Sequence, residues 1–261
     1  MREEVENAVH QACAQLRFAE GLRRRWAQAR AEASIQEAHA LATACGVQVE
    51  VGALRRATLE QSGAELPPDL DYARSIWQAT WRITNLLPDL NATNPMPVVT
   101  ATPIQILAGL HKDVCAALVR AGKMSLNEVA SPQNAGQFLA EQRDLEERRL
   151  RGEVTGLDVV AQTWAQLAAG SLFAREAETV AVNYAKWQLV SLGIEPTGVS
   201  VLAQWRCEQP QAYQLTLAAW QAGEREPWHE FVGNALVRAC EVGLRVARQV
   251  QAGTLGEELA D

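Results

Sequence analysis

At 261 residues with 48% hydrophobic content, the chain is long and apolar enough to close a packed core, which excludes a disordered tail. A formal charge of -7 and a pI near 5.3 weigh against nucleic acid and anionic membrane as general partners. The five cysteines, at 13, 45, 115, 207 and 240, form no CxxC pair and signal neither a disulfide framework nor a zinc site.

The N-terminal MREEVENAVHQ has no apolar signal core, and no run approaches the roughly 18 apolar residues that span a bilayer, so a cytoplasmic protein with no membrane partner is expected. Val5, Val9, Ala12, Leu16, Ala19, Leu22, Trp26, Ala29 and Ala33 recur in steps of three and four, which predicts one long amphipathic helix ended by Gly46. Its Arg23, Arg24 and Arg25, flanked by Glu20 and Glu32, read as a solvated helix face rather than a phosphate track. Residues 47–51, VQVEV, alternate apolar and polar like a strand, which makes Val47, Val49 and Val51 candidates for a small β-hairpin flap.

Asp69 can cap a helix carrying Leu70, Ala73, Trp77, Trp81 and Thr84 along one side. LPDLNATNPMP breaks it, and its Asn91-Ala92-Thr93 sequon reads as chance in a chain without a secretion signal. Thr102, Pro103 and Gln105 form a capping box that launches a helix through Ile104, Leu107, His111, Val114 and Leu118. A polar insert over about 122–153 follows, with a second box at Ser125 and Glu128 and the charged run EQRDLEERRLRG, which reads as solvent-facing with paired charges at helical spacing. From Thr155 onward helices are predicted at 155–167, 176–191, 199–208, 210–222 and 227–252. The whole, 1–261, reads as one all-α domain of about eight helices. The eight tryptophans fall at helical spacing and read as core, some of them near a groove.

Two stretches carry candidate chemistry. WHEFVGNALVR, 228–238, holds His229 beside Gly233-Asn234, but Trp228, Phe231, Ala235, Ala239 and Val242 keep helical spacing straight through it. On a helix, His229 and Asn234 point roughly 140° apart and cannot converge on one ligand, so this reads as a core-facing helix with a flanking histidine. The region 158–200 has a different layout: a helix, a short loop, a second helix directly after it, and the break SLGIEPTGVS.

That layout and SLGIEPTGVSV, together with ALRRATLEQ, QLRFAEGLRRRWAQARAEASI and TPIQILAGLH, resemble a divergent actinobacterial group of the Fic (filamentation induced by cyclic AMP, Fic/DOC) family across most of the chain. The resemblance implies a Fic-like helical bundle. It places Ser171 where active members carry the histidine base of the motif His-Pro-Phe-x-Asp/Glu-Gly-Asn-Gly/Lys-Arg, Leu172 at the proline and Phe173 at the phenylalanine. Arg175 falls on the acidic metal ligand, and Glu176, Ala177, Glu178 and Thr179 fall on the phosphate cradle. Serine is no base near neutral pH without a partner, arginine repels a cation, and two carboxylates oppose phosphate at a helix start. The family's inhibitory helix, Ser/Thr-x-x-x-Glu-Gly/Asn, is similar to LATACG, with Leu41 and Cys45 in place of the hydroxyl and glutamate and Gly46 retained.

No Rossmann glycine motif, Walker loop, G-x-S-x-G elbow or H-E-x-x-H occurs, and His10, His39, His111 and His229 are scattered. His111, on an apolar face, reads as a hydrogen-bonded core histidine. The expectation is a catalytically degenerate Fic-like binding or regulatory module, without cofactor or metal, whose partner is another protein, with self-association left open. The alternative is an active Fic-type nucleotidyl or phosphoryl transferase that uses ATP and magnesium through shifted residues. A DNA-binding regulator is disfavoured by the acidic chain.

Overall fold

The computed structural model describes residues 2–60, 65–90 and 101–255. The apolar stripes close against one another as eleven α-helices, with no strand among the described residues. In order these are α1 (Arg2–Arg17), α2 (Leu22–Ala44), α3 (Val51–Leu59), α4 (Pro68–Leu86), α5 (Pro103–Arg120), α6 (Ala135–Leu150), α7 (Gly156–Ala168), α8 (Ala177–Ser191), α9 (Ala203–Glu208), α10 (Pro210–Gln221) and α11 (Glu226–Ala252). None of the described helices is long and apolar enough to cross a membrane.

Helix α8 is buried nearly all round, from Thr179 to Lys186 without interruption, and packs against α4, α5 and α7. A helix with no solvent face belongs at the centre of a bundle. The long amphipathic α11 holds the other side together, touching α1, α2, α7, α9 and α10. Between them the buried apolar residues form one cluster running from Val9 to Val250. Trp164, Trp228, Tyr213 and Phe231 interlock there, with ring centroids 5.5 to 5.8 Å apart. Trp164 and Trp228 are the buried tryptophans, while Trp26, Trp77, Trp81, Trp187, Trp205 and Trp220 sit at the margins of the core.

Three elements raise the helix count, and the first two depart from the sequence reading. The N-terminal helix is broken at 18–21 although its apolar period continues, because the α1–α2 corner presses on α11. A Cβ on Gly21 would lie 2.1 Å from the carbonyl oxygen of Ala247. The expected hairpin flap is absent: Val47 and Val49 lie in an extended connection, and Val51 opens α3. Alternation alone does not make a strand, since no neighbouring segment supplies ladder partners and Val49 gives its carbonyl to His39 Nε2 at 3.0 Å. The charged run folds as α6, whose Phe138 and Leu145 are buried while its charges stay outside.

The capping box at Thr102 and Gln105 is present with Pro103 at the first turn. Ser125 and Glu128 make a box as well, but it caps only a three-residue 3₁₀ turn. The Asn91 sequon lies outside the described residues.

Candidate functional site

Helix α7 stops at Ala168, and the chain crosses to α8 through residues 169–176, where most of the sequence-predicted site residues fall. The crossing is pinned along its length. Ser171 donates its hydroxyl back to the Gln166 carbonyl at 2.7 Å, and the Leu172 carbonyl accepts the Gln133 amide at 2.8 Å. Leu172 and Phe173 are buried, and Arg175 donates to the Lys123 carbonyl at 2.7 Å.

His111 on α5 fastens this crossing from beneath. Its Nδ1 accepts the Ala130 amide at 2.9 Å, which leaves Nε2–H to donate to the Arg175 carbonyl at 3.2 Å. Burial lowers its pKa, and the same burial pushes the adjacent Cys115 thiol up to about 12. With both ring nitrogens committed, His111 has no lone pair to offer a substrate.

At the far end of the crossing, Glu176 adopts left-handed backbone (φ 57°, ψ 13°) as the N-cap of α8. A non-glycine residue pays about 1–2 kcal/mol for that conformation, so neighbouring contacts must hold it. Tyr72 of α4 does so, donating its hydroxyl to Glu176 Oε2 at 2.8 Å. Burial raises the Glu176 pKa, and the Tyr72 hydrogen bond pulls it back. Burial also raises the Tyr72 pKa, and the Glu176 charge adds to that. Two residues on, Glu178 is clamped by Arg206 of α9, while Thr179 is buried with its hydroxyl 3.8 Å from Cys45 Sγ.

These groups line a cavity of about 480 Å³, floored by Ala168, Gly170 and Ala174 and bordered by Cys45, Tyr72, Glu176, Glu178, Thr179 and Arg206. A second depression of about 410 Å³ shares Cys45, Tyr72 and Glu176 with it and runs on past Val47, Leu66, Pro68, Leu118, Arg120 and Lys123. A wider cleft of about 570 Å³ between α6, α7 and the α10–α11 corner is lined by Glu141, Asp144, Arg148, Trp220 and Arg225, and holds none of the predicted site residues.

The structure therefore gathers Glu176, Glu178, Thr179 and Cys45 around one hollow, turns Ser171 and Phe173 away from it, and leaves Val49 and Val51 outside its lining. Leu41 is wholly buried, and Gly46, with φ 81°, lets the chain turn out of α2 beside Cys45. Tyr72 and Arg206 were not among the predicted site residues. Tyr72 sits beside the apolar stripe of its helix and Arg206 in the short segment AQWRCE, and nothing local marks partners 104 and 28 residues away.

The HEFVGN stretch lies inside α11, with Asn234 exposed. Its Gly233 is a packing device, since a Cβ there would fall 2.2 Å from Val5 Cγ1 of α1. His229 departs from the expectation of a flanking residue: it is 5% exposed and faces Glu6 and Asp158. No family model matches the chain, and no curated protein matches it.

Proposed function

We propose that the protein is a catalytically silent, Fic-like binding module, whose hollow at the start of α8 receives a segment of a partner protein instead of a nucleotide. The observation that carries this reading is the pair of carboxylates, Glu176 and Glu178, held by Tyr72 and Arg206 at the N-terminus of α8. A helix start binds phosphate through free N–H groups and positive potential. Here the two carboxylates take up that potential. Ser171 adds to the argument, because its proton goes to the Gln166 carbonyl and no basic side chain is among its hydrogen-bond partners.

The position of Cys45 supports the Fic resemblance. The end of α2, which the resemblance aligns with the inhibitory helix, packs beside Thr179 in the first turn of α8 across 134 residues of sequence. A second hollow continuing over Val47, Leu66 and Leu118 adds apolar surface for peptide side chains, with Asp69, Asp71, Arg120 and Lys123 beside it for their polar groups.

Thermal unfolding of the full chain against ATP, GTP, CTP and UTP with Mg²⁺ tests the proposal. A ligand that binds only the native state at a hundredfold excess over Kd adds about 2.7 kcal/mol. The expected result is no nucleotide-specific rise. A rise for one nucleotide, accompanied by labelling of protein from that nucleotide, would replace this reading with an active transferase.

A further inference from the structure

We propose that Glu6, Asp158 and His229 form a binding site for a first-row divalent metal ion that staples α1 to α7 and α11. The three side chains come from three helices, and their ligand atoms all lie within 4.8 Å of one another. His229 Nε2 stands 3.4 Å from Asp158 Oδ1 and 3.9 Å from Glu6 Oε1. Zinc holds nitrogen and oxygen ligands at about 2.0–2.1 Å, which puts tetrahedral neighbours roughly 3.3 Å apart. One edge of the site already has that length, and a small rotation of Glu6, whose side chain is 28% exposed, closes the others.

Two of the three polar atoms at the centre are also unsatisfied. His229 is 5% exposed, and its Nε2 has no hydrogen-bond partner, nor does the buried Glu6 Oε1. A buried imidazole nitrogen aimed at two carboxylate oxygens, with no hydrogen bond formed to either, is a ligand set that a cation between them would complete. Asp158 is also oriented for the task. Its Oδ2 accepts from the Thr155 amide at 2.8 Å and the Thr155 hydroxyl at 2.9 Å, which leaves Oδ1, the acceptor of Arg2 Nη2, turned toward His229.

Arg2 now supplies part of the missing charge. Its guanidinium contacts Asp158 and approaches Glu6 at 3.5 Å and Glu226 at 3.3 Å. Three carboxylates against one guanidinium leave about two negative charges, which a divalent ion would balance. Arg2, with its side chain 41% exposed, is free to swing onto Glu226 when an ion enters. One imidazole with two carboxylates suits zinc, manganese or ferrous iron better than calcium or magnesium.

The test uses the full chain, titrated with Co²⁺ by visible absorption and with Zn²⁺ by thermal unfolding. The expected result is one equivalent bound, with a rise in Tm on Zn²⁺ addition. Affinity should fall by more than about tenfold in His229→Gln and in Glu6→Gln, and increase in Arg2→Ala, where the competing cation is gone. No binding by the wild type, or wild-type binding in both His229→Gln and Glu6→Gln, would overturn the site, the second outcome placing the ion elsewhere, as at Cys45. Should His229→Gln fail to fold, Glu6→Gln decides, because Glu6 is the least buried of the three.

Discussion

The imidazole of His111 lies flat on the ring of Phe173, with centroids 4.1 Å apart and planes 8° from parallel. Stacking joins the hydrogen bond His111 accepts from the Ala130 amide and the one it donates to the Arg175 carbonyl, so one residue of α5 fixes both the 124–134 connection and the crossing into α8. The shape of the hollow at Glu176 depends on that fastening, although His111 does not line it.

Replacing Phe173 by alanine removes a ring that is 3% exposed and leaves His111 facing a void. A loss of about 3–5 kcal/mol is expected, as for other buried aromatic truncations, read as a fall in the denaturant midpoint at unchanged slope. A loss below 1 kcal/mol would mean that the crossing repacks and does not hold the shape described above.

Because burial lowers the His111 pKa from its ordinary value of 6.5, the native state binds a proton less readily than the unfolded one. Stability is then fully present above about 6.5 and falls as pH drops through that value toward the depressed native pKa. His39, also lowered by burial, adds to the same slope. In His111→Gln the slope between about pH 6.5 and 5 should flatten relative to wild type, even though overall stability is lower. Equal slopes in the two proteins would show that His111 does not titrate with folding.

For Glu176 the sign is opposite. Its pKa is raised above 4.5 by burial, so its ionised form burdens the native state above the raised value, and that burden is relieved as pH falls through it. Glu176→Gln keeps an acceptor for Tyr72 and removes the charge. It should raise Tm near pH 8, with the gain shrinking as the solution is acidified toward 4.5. Tyr72→Phe should do the reverse, costing about 1–3 kcal/mol near neutral pH by leaving Glu176 Oε2 without its donor.

Much of the scaffold was legible in the chain, and the reasons differ by element. Pro103 with Thr102 and Gln105 announces α5 because a cap is a local hydrogen-bond pattern within four residues. The α1–α2 break was hidden because it arises from the approach of Gly21 to Ala247, 226 residues away. VQVEV misled because period-two alternation describes side-chain exposure, whereas a strand also needs a neighbour. In α11 the helical period was plain from Trp228 to Val250, yet it gave no hint that His229 would meet Glu6 of α1 and Asp158 of α7. Burial of Glu37, Lys186 and Glu195 was equally invisible, since hydropathy assigns charged residues to the surface.

That buried set gives a sharp test of the core. Lys186 Nζ lies 3.8 Å from Glu37 Oε2, with their side chains 1% and 0% exposed. Glu37 also accepts the amides of Leu202 and Ala203 at 2.8 and 2.7 Å, and Lys186 donates to the Ser200 carbonyl at 2.9 Å. Burial raises the Glu37 pKa and lowers that of Lys186, and each partner's charge pulls the other back. Lys186→Met or Glu37→Gln alone should cost about 3–5 kcal/mol by stranding the remaining charge, and the double variant should cost clearly less than the sum. Additive losses would show that the two groups are not coupled.

The last prediction addresses the hollow itself. If Glu176 and Glu178 are what keep phosphate from the start of α8, removing both charges should admit an anion without any new basic residue. Arg206 is already there, 7% exposed, with Nη1 lacking a hydrogen-bond partner and the ring of Tyr213 4.9 Å away. Freed from Glu178, its guanidinium would face the cavity together with the first N–H groups of α8. The variant Glu176→Gln/Glu178→Gln should therefore gain phosphate and ATP binding by calorimetry where wild type shows none, and the added Arg206→Ala should abolish the gain. It should still transfer nothing to protein, because Ser171 remains without a base. Failure to bind any anion would mean that the shape of the crossing, and not its charge, excludes nucleotide; transfer by the variant would show that the loop retains a catalytic group that Ser171 does not provide.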